Sequence, residues 1–313
     1  MSILTDLKTL TKQNMADILK IEDVVKTYDK HLAVNHVSFS MPEGCIFGML
    51  GPNGAGKSSL IRMITTITRP DSGRIYFNGE LLNNRHPEQI GYMPEERGLY
   101  KKMKVGEQML YLAQLKGLSR KDAEREVRYW FTRLDIVGWW DKKVDELSKG
   151  MQQKAQFVST VLHKPKLLIL DEPFSGLDPV NANLLKDEIY ELHKQGTSII
   201  FSTHRMEQVE EICDQIVLIN KGENVLQGAV GDIKQQFKEN LFRVDFTGNM
   251  PSDALAQLTL VEQTPQYFTA KLSASQDSNS LLRHLLDADV RLTAFNEILP
   301  SLNDIFIRQV TEK

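Results

Sequence analysis

In HVSFSMPEG (36–44) every second residue is apolar: Val37, Phe39 and Met41. That two-residue period predicts a strand with one face buried. ILKIEDVVKTY (18–28) precedes it and reads as a second strand, with polar turns at both ends. CIFGMLG (45–51) differs, being apolar almost throughout, as a strand buried on both faces must be. It runs into a glycine-rich loop, GPNGAGK, and SSLIRMITTIT (58–68) then predicts a helix. PDSG (70–73) is turn chemistry, and RIYFNGE (74–80) is another strand.

The pattern changes over 101–146. KVGEQMLYLAQLKGL and KDAEREVRYWFTRLDIVGWW carry helical periodicity with charged faces and predict a helical insert, within about 101–150. A helix (MQQKAQFVSTVL), a strand (KLLILDEP) and a helix (NANLLKDEIYELHKQG) follow. TSIIFST, RMEQVEEIC and DQIVLINKGENVLQG then add a strand, a helix and a hairpin. Strands alternating with helices imply an α/β fold around a parallel sheet. After about Phe237 the pattern restarts. LFRVDFTG, VEQTPQYFTAKLSA and VRLTAFNEI predict strands, and SDALAQL, SNSLLRHLLDA and SLNDIFIRQV predict helices. The expected organisation is a leader over 1–17, with Met15 an alternative start, a main domain over 18–236 and a small α+β domain over 237–313.

Composition narrows the function classes. Hydrophobic residues make up 41% and charged residues 25%, as in ordinary soluble proteins. The net charge of −3 gives no basic footprint, so no nucleic-acid partner is expected. No apolar run approaches the roughly 18–20 residues of a membrane span, so none is expected in the chain itself. Cys45 and Cys213 lie in apolar or helical contexts and read as core thiols in a reducing compartment.

GPNGAGKSS (51–59) fits the phosphate-loop pattern through Gly51, Gly56, Lys57 and Ser58. Its glycines let successive N–H groups, including those of Asn53, Gly54, Ala55 and Ser59, point into one concavity. The following helix adds its positive dipole end. Lys57 supplies a charge for the β/γ-phosphates of ATP, and Ser58 an oxygen for Mg²⁺. The second buried strand ends in Asp171 and Glu172. Asp171 is suited to Mg²⁺, and Glu172 to polarising an attacking water.

GPNGAGKSS, IGYMPEE, LSKGMQQK, LLILDEP, SGLD and a histidine after a strand occur in this order. Over residues 18–236 the chain therefore resembles the ATP-binding subunits of ABC transporters. The resemblance implies a P-loop cassette: a RecA-like core, an antiparallel β subdomain and a helical subdomain. It further implies ATP hydrolysis by a head-to-tail dimer bound to a separate integral membrane permease. The chain would then be cytoplasmic and peripheral on the inner face of the cell membrane.

LSKGMQQK (147–154) resembles the family's signature, in which Ser148 and Gly150 would meet the γ-phosphate held by the other copy. Lys149 and Met151 depart from its commonest form. Tyr28 matches the aromatic that stacks on adenine; a strand-end tyrosine packing on the core is the alternative. Glu95 stands where the family usually has a glutamine that reaches the metal and the attacking water; simple surface exposure is its alternative. Asp178 matches the loop crossing the dimer interface, and His204 the histidine that bonds the γ-phosphate. GYMPEERGLY and the closing LPSLNDIFIRQV resemble exporter subfamilies, including sodium-efflux and drug-resistance systems. The competing reading is a non-transport ABC ATPase acting on nucleic acid or ribosomes. It usually has two cassettes or a long coiled-coil insertion, and the sequence has neither.

Overall fold

The computed structural model describes residues 16–96, 98–248, 251, 255, 258–273 and 276–311. Contacts divide the chain into two compact units, Met1–Gly228 and Ala229–Lys313. The break falls one short helix, Val230–Gln236, before the expected one.

The first unit holds two sheets. Four antiparallel strands run in the order β2-β1-β4-β5. They are β1 (Asp17–Tyr28), β2 (His31–Pro42), β4 (Ser72–Phe77) and β5 (Glu80–Leu81). Six strands form the second sheet in the order β10-β9-β3-β8-β7-β6. Its centre is β3 (Ile46–Leu50), β8 (Ser198–Thr203) and β7 (Leu167–Asp171); every residue of these three strands is buried. β9 (Gln215–Asn220) and β10 (Glu223–Ala229) form one edge. β6 (Ile90–Met93) forms the other, a four-residue strand too short to show a period in the sequence.

Register does the positioning. β3 runs parallel to β8 with Leu50 opposite Thr203, and β7 runs parallel to β8 with Asp171 opposite Ser202. All three strands therefore finish at one edge, where ligands bind in open parallel sheets. The phosphate loop leaves β3 there, Glu172 follows β7 and His204 follows β8. The core joins the two sheets, with Phe39 of β2 stacked on Phe47 of β3 at 5.5 Å.

The helix after the loop, Lys57–Ile64, is shorter than expected. Thr65 to Thr68 are all β-branched, which disfavours helix, and the Thr65 hydroxyl donates back to the Ile61 carbonyl at 2.8 Å, closing the last turn. The insert contains helices Val105–Leu115 and Arg120–Arg133 and leads into Lys149–Val161. The second of these stops before IVGWW, at Asp135 with φ 55°. Edge-on pairs Trp130–Phe157 and Phe131–Trp140 pack the insert. Among the described residues no helix is long and apolar enough to cross a membrane.

The second unit has its own antiparallel sheet, β12-β13-β11-β14. VEQTPQYFTAKLSA proves to be a hairpin rather than one strand, formed by β12 (Thr259–Gln263) and β13 (Tyr267–Lys271). Thr264 makes the turn, its N–H donating to the Tyr267 carbonyl while its hydroxyl accepts from Tyr267 N–H. β11 (Leu241–Thr247) and β14 (Arg291–Ile298) complete the sheet. Helices Ser278–Asp287 and Leu302–Thr311 are present; the expected helix SDALAQL lies largely outside the described residues. Val244, Phe246, Phe268, Leu281 and Leu285 form the core of this unit. Cys45 and Cys213 are free and buried in the first unit, and burial pushes the Cys45 thiol up to about 12.

Leu285 is fully buried. Leu285→Ala should destabilise the second unit by about 2–5 kcal/mol. A lowered denaturant midpoint, followed by fluorescence from a probe in that unit, would show it; an unchanged midpoint would remove Leu285 from the core.

Candidate functional site

Two glycines shape the phosphate loop. Gly51 has φ 148°, and a Cβ there would lie 2.1 Å from the Ile219 carbonyl oxygen of β9. Gly56 has φ 110°, and its Cβ would lie 2.4 Å from the Ala33 carbonyl oxygen. Both contacts are with backbone, which cannot step aside. The turn after β9 braces the loop from behind: Gly222 N–H donates to the Ala55 carbonyl, and Asn35 N–H to the Gly222 carbonyl. This support was not evident in the sequence, because 166 residues of numbering separate Gly56 from Gly222 (222 − 56).

Lys57 Nζ donates to the carbonyls of Gly51 at 2.6 Å and Pro52 at 3.1 Å. Burial lowers its pKa, while the carboxylates of Asp171, Glu172 and Glu95 oppose that shift. Asp171 is buried, and burial holds its pKa above the usual carboxylate range. The nearby charges of Glu95 and Glu172 push it the same way, against the pull of Lys57.

Glu172 adopts φ 50°, unusual for a residue with a side chain. Three donors fix its carboxylate. His204 Nδ1 reaches Oε1 at 2.6 Å, His204 N–H reaches the same oxygen at 2.8 Å, and the Thr203 hydroxyl reaches Oε2 at 3.1 Å. Thr203 was not singled out from the sequence; a threonine at a strand end has no distinguishing pattern.

One cleft of about 310 Å³ collects Tyr28, residues 53–59, Glu95, Asp171 and Glu172, together with His31 and Arg62, which sequence reasoning passed over. Gly51 joins it through its carbonyl on Lys57. The Tyr28 hydroxyl is buried and has no hydrogen-bond partner among the described residues, and Lys26 lies 5.5 Å from the centre of its ring. His204 reaches this group only through Glu172. Ser148, Gly150 and Asp178 do not line the cleft. Ser148 is exposed and caps the helix Lys149–Val161, accepting from Met151 N–H at 3.3 Å. Gly150 lies against Leu177 of the SGLD loop, where an added Cβ would come within 3.4 Å of Cδ2. Asp178 caps the helix Pro179–Lys194, accepting from Val180 and Asn181 N–H. The Asn181 N–H chiefly holds its carboxyl below the usual range.

The oxygens of Ser58, Asp171 and Glu95 are the hard donors Mg²⁺ takes. Among the described residues no three His, Cys, Asp or Glu side chains converge as a metal cage. Mg²⁺ typically takes one or two carboxylates and completes its shell with phosphates and water; Asp171 and Glu95 line the cleft together with Ser58.

Residues 34–175 match the family described as ABC transporter, and residues 228–310 the C-terminal domain of ATP-binding protein DrrA1-3-like. The uncharacterized ABC transporter ATP-binding protein YhaQ of Bacillus subtilis (strain 168) is 43% identical over 298 residues, 94% of this chain and 98% of that protein. The chain belongs to the ATP-binding proteins of ABC transporters. The linearmycin resistance ATP-binding protein LnrL, from the same organism, is 29% identical over 280 residues, 88% of this chain and 86% of that protein. A solved ATP-binding subunit of an ABC transporter superposes with a TM-score of 0.66 at 32% identity, over 70% of this chain and 93% of that one. As a member of this family the chain is an ABC transporter ATP-binding subunit and an ATPase. The DrrA-like match begins where the second compact unit begins.

Gly56→Ala should weaken ATP binding at least ~100-fold, because the loop cannot hold its shape with a Cβ against backbone; titration with a fluorescent ATP analogue measures it. Asp171→Asn should uncouple stability from activity. A carboxyl whose folded pKa lies above its unfolded value costs stability wherever it is ionised, and the cost fades as pH falls through the raised value. The variant should therefore melt higher than the parent at pH 7 without nucleotide, by a margin that shrinks toward acid pH, while ATP hydrolysis is lost. A lower melting point at pH 7 would contradict this.

Proposed function

We propose that two copies of this subunit close head to tail on two MgATP and drive a separate integral membrane permease in the export direction. The observation that carries this reading is the division of the anion-binding parts. The phosphate loop, Tyr28, Glu95, Asp171 and Glu172 share one cleft, while Ser148 and Gly150 stand outside it at an exposed helix N-terminus. A helix N-terminus favours anions, and here no group of its own cleft meets it. The second copy would bring its Ser148 and Gly150 to the γ-phosphate, and Asp178 would lie at the same interface. A cleft of about 310 Å³ is at the small end for ligand pockets, which agrees with a site completed by a second wall.

Within each half, Tyr28 stacks on adenine and the N–H groups of residues 53–59 hold the phosphates. Lys57, held by its two carbonyls, offers its third N–H to the β/γ-phosphates. Ser58, Asp171 and Glu95 would hold Mg²⁺, which would neutralise phosphate charge. Glu172, fixed by Thr203 and His204, orients the attacking water and takes up its proton. His204 then presents its other ring nitrogen to the γ-phosphate. Hydrolysis yields ADP and phosphate and reopens the pair, and that opening and closing moves the permease.

The subunit would work at the inner face of the cell membrane, held there by the permease, with the second unit adding dimer surface or regulation. The export direction is supported by the DrrA-like C-terminal match and by the resistance function in the name of LnrL. Glu172→Gln keeps the size of the side chain and removes the proton acceptor. With MgATP this variant should sediment at twice the mass of the monomer and stay there, whereas the parent returns to monomer as ATP is consumed. A variant that remains monomeric at saturating MgATP would overturn the head-to-tail mechanism.

A further inference from the structure

The helix Lys149–Val161 buries two glutamines on one face. Gln153 and Gln156 are separated by three positions, so their side chains lie one above the other. They are 2% and 3% exposed, which is rare for an amide side chain. Each spends its NH₂ group on backbone beside a carboxylate of the nucleotide cleft. Gln153 Nε2 donates to the carbonyl of Pro173, the residue after Glu172, at 3.0 Å. Gln156 Nε2 donates to the carbonyl of Pro94 at 2.8 Å and lies 3.4 Å from that of Glu96, the two residues flanking Glu95. Both neighbours of Gln156 are acceptors, so only its NH₂ end can face them. Its oxygen is buried and has no partner among the described residues. A position satisfied by packing alone would be met by an apolar residue without that cost.

The Pro94–Glu96 segment needs such a hold. Pro94 has no N–H to pair, β6 ends at Met93, and Glu95 is exposed on a turn. The Glu95 carboxylate nevertheless reaches into the cleft, where it acts on both Lys57 and Asp171. The start of the same helix is Ser148, capped and exposed.

We propose that Gln153 and Gln156 form a two-amide clamp that makes Lys149–Val161 the positioning element for Glu172 and Glu95 of its own cleft. Gln156 is the more sensitive member, since its amide bonds the residues on both sides of Glu95. The helix whose N-terminus is offered outward thereby sets the carboxylates inward. A push on Ser148 is transmitted through one rigid helix to the groups that orient metal and water. This inference rests on the role proposed above for Glu95.

The test is a double-mutant cycle in the full-length chain. Gln156→Met keeps the length and packing and removes the donor; Glu95→Ala removes the group it is said to position. Gln156→Met should lower kcat about 10-fold or more, raise the Mg²⁺ concentration for half-maximal rate, and leave KM for ATP within about twofold. In the Glu95→Ala background the same change should have little further effect. Amide exchange by mass spectrometry should show faster exchange in the peptide around Glu95 in Gln156→Met, without a global rise.

Equal losses in both backgrounds would overturn the clamp, because Gln156 would then act independently of Glu95. Unchanged exchange around Glu95 would also overturn it. A Glu95→Ala chain with parental kcat and Mg²⁺ response would instead reject the role of Glu95, and that single variant separates the two failures. Gln156→Glu, which keeps the size and turns an acceptor toward the two carbonyls, should be at least as damaging as Met. Parental kcat in that variant would count against the clamp.

Discussion

The site depends on one constraint, the parallel registration of β3, β7 and β8. Each is short, each is buried on both faces, and each can satisfy its backbone only through its neighbours. Leu50 opposite Thr203 and Asp171 opposite Ser202 fix where the three chains leave the sheet. A one-residue slip would send every side chain of the slipped strand to the opposite face. The phosphate loop, the acid pair and the Thr203–His204 pair would then no longer meet. The chemistry is thus held by hydrophobic strands that contain almost none of it.

Electrostatic tension is the second theme. Asp171, Glu172 and Glu95 share one cleft with Lys57 and Arg62, and the Asp171 carboxyl is pushed up first by burial and then by its two carboxylate neighbours. Glu172 bears a left-handed backbone in addition. Such features cost the fold stability and cluster at functional sites. The three donors on Glu172 fix its direction even so.

Much of this was legible from residue types. CIFGMLG and KLLILDEP announce buried strands because no polar face interrupts them. Lys57, Asp171 and Glu172 stand out because charged residues directly after such strands need a reason. IGYM is legible as part of a motif but not as a strand, because four residues hold no period. The Thr264 turn was hidden by its flanking apolar residues, which read as one continuous strand. The helix Val230–Gln236 falls within the second compact unit, and its sequence carries no mark of that. Gly222, Gln153 and Gln156 bond backbone groups, and Thr203 a carboxylate, that are distant in sequence. An amide on a helix looks like a solvated face until tertiary structure buries it.

Lys57 offers a consequence of a different kind. Its ammonium is already hydrogen-bonded to the carbonyls of Gly51 and Pro52. Two of its three protons are thereby committed to the loop, and one remains for an outside oxygen. A phosphate can engage the ammonium without breaking either loop contact. The two carbonyls hold the long side chain in one rotamer beforehand, so less of its conformational freedom is lost when an anion arrives.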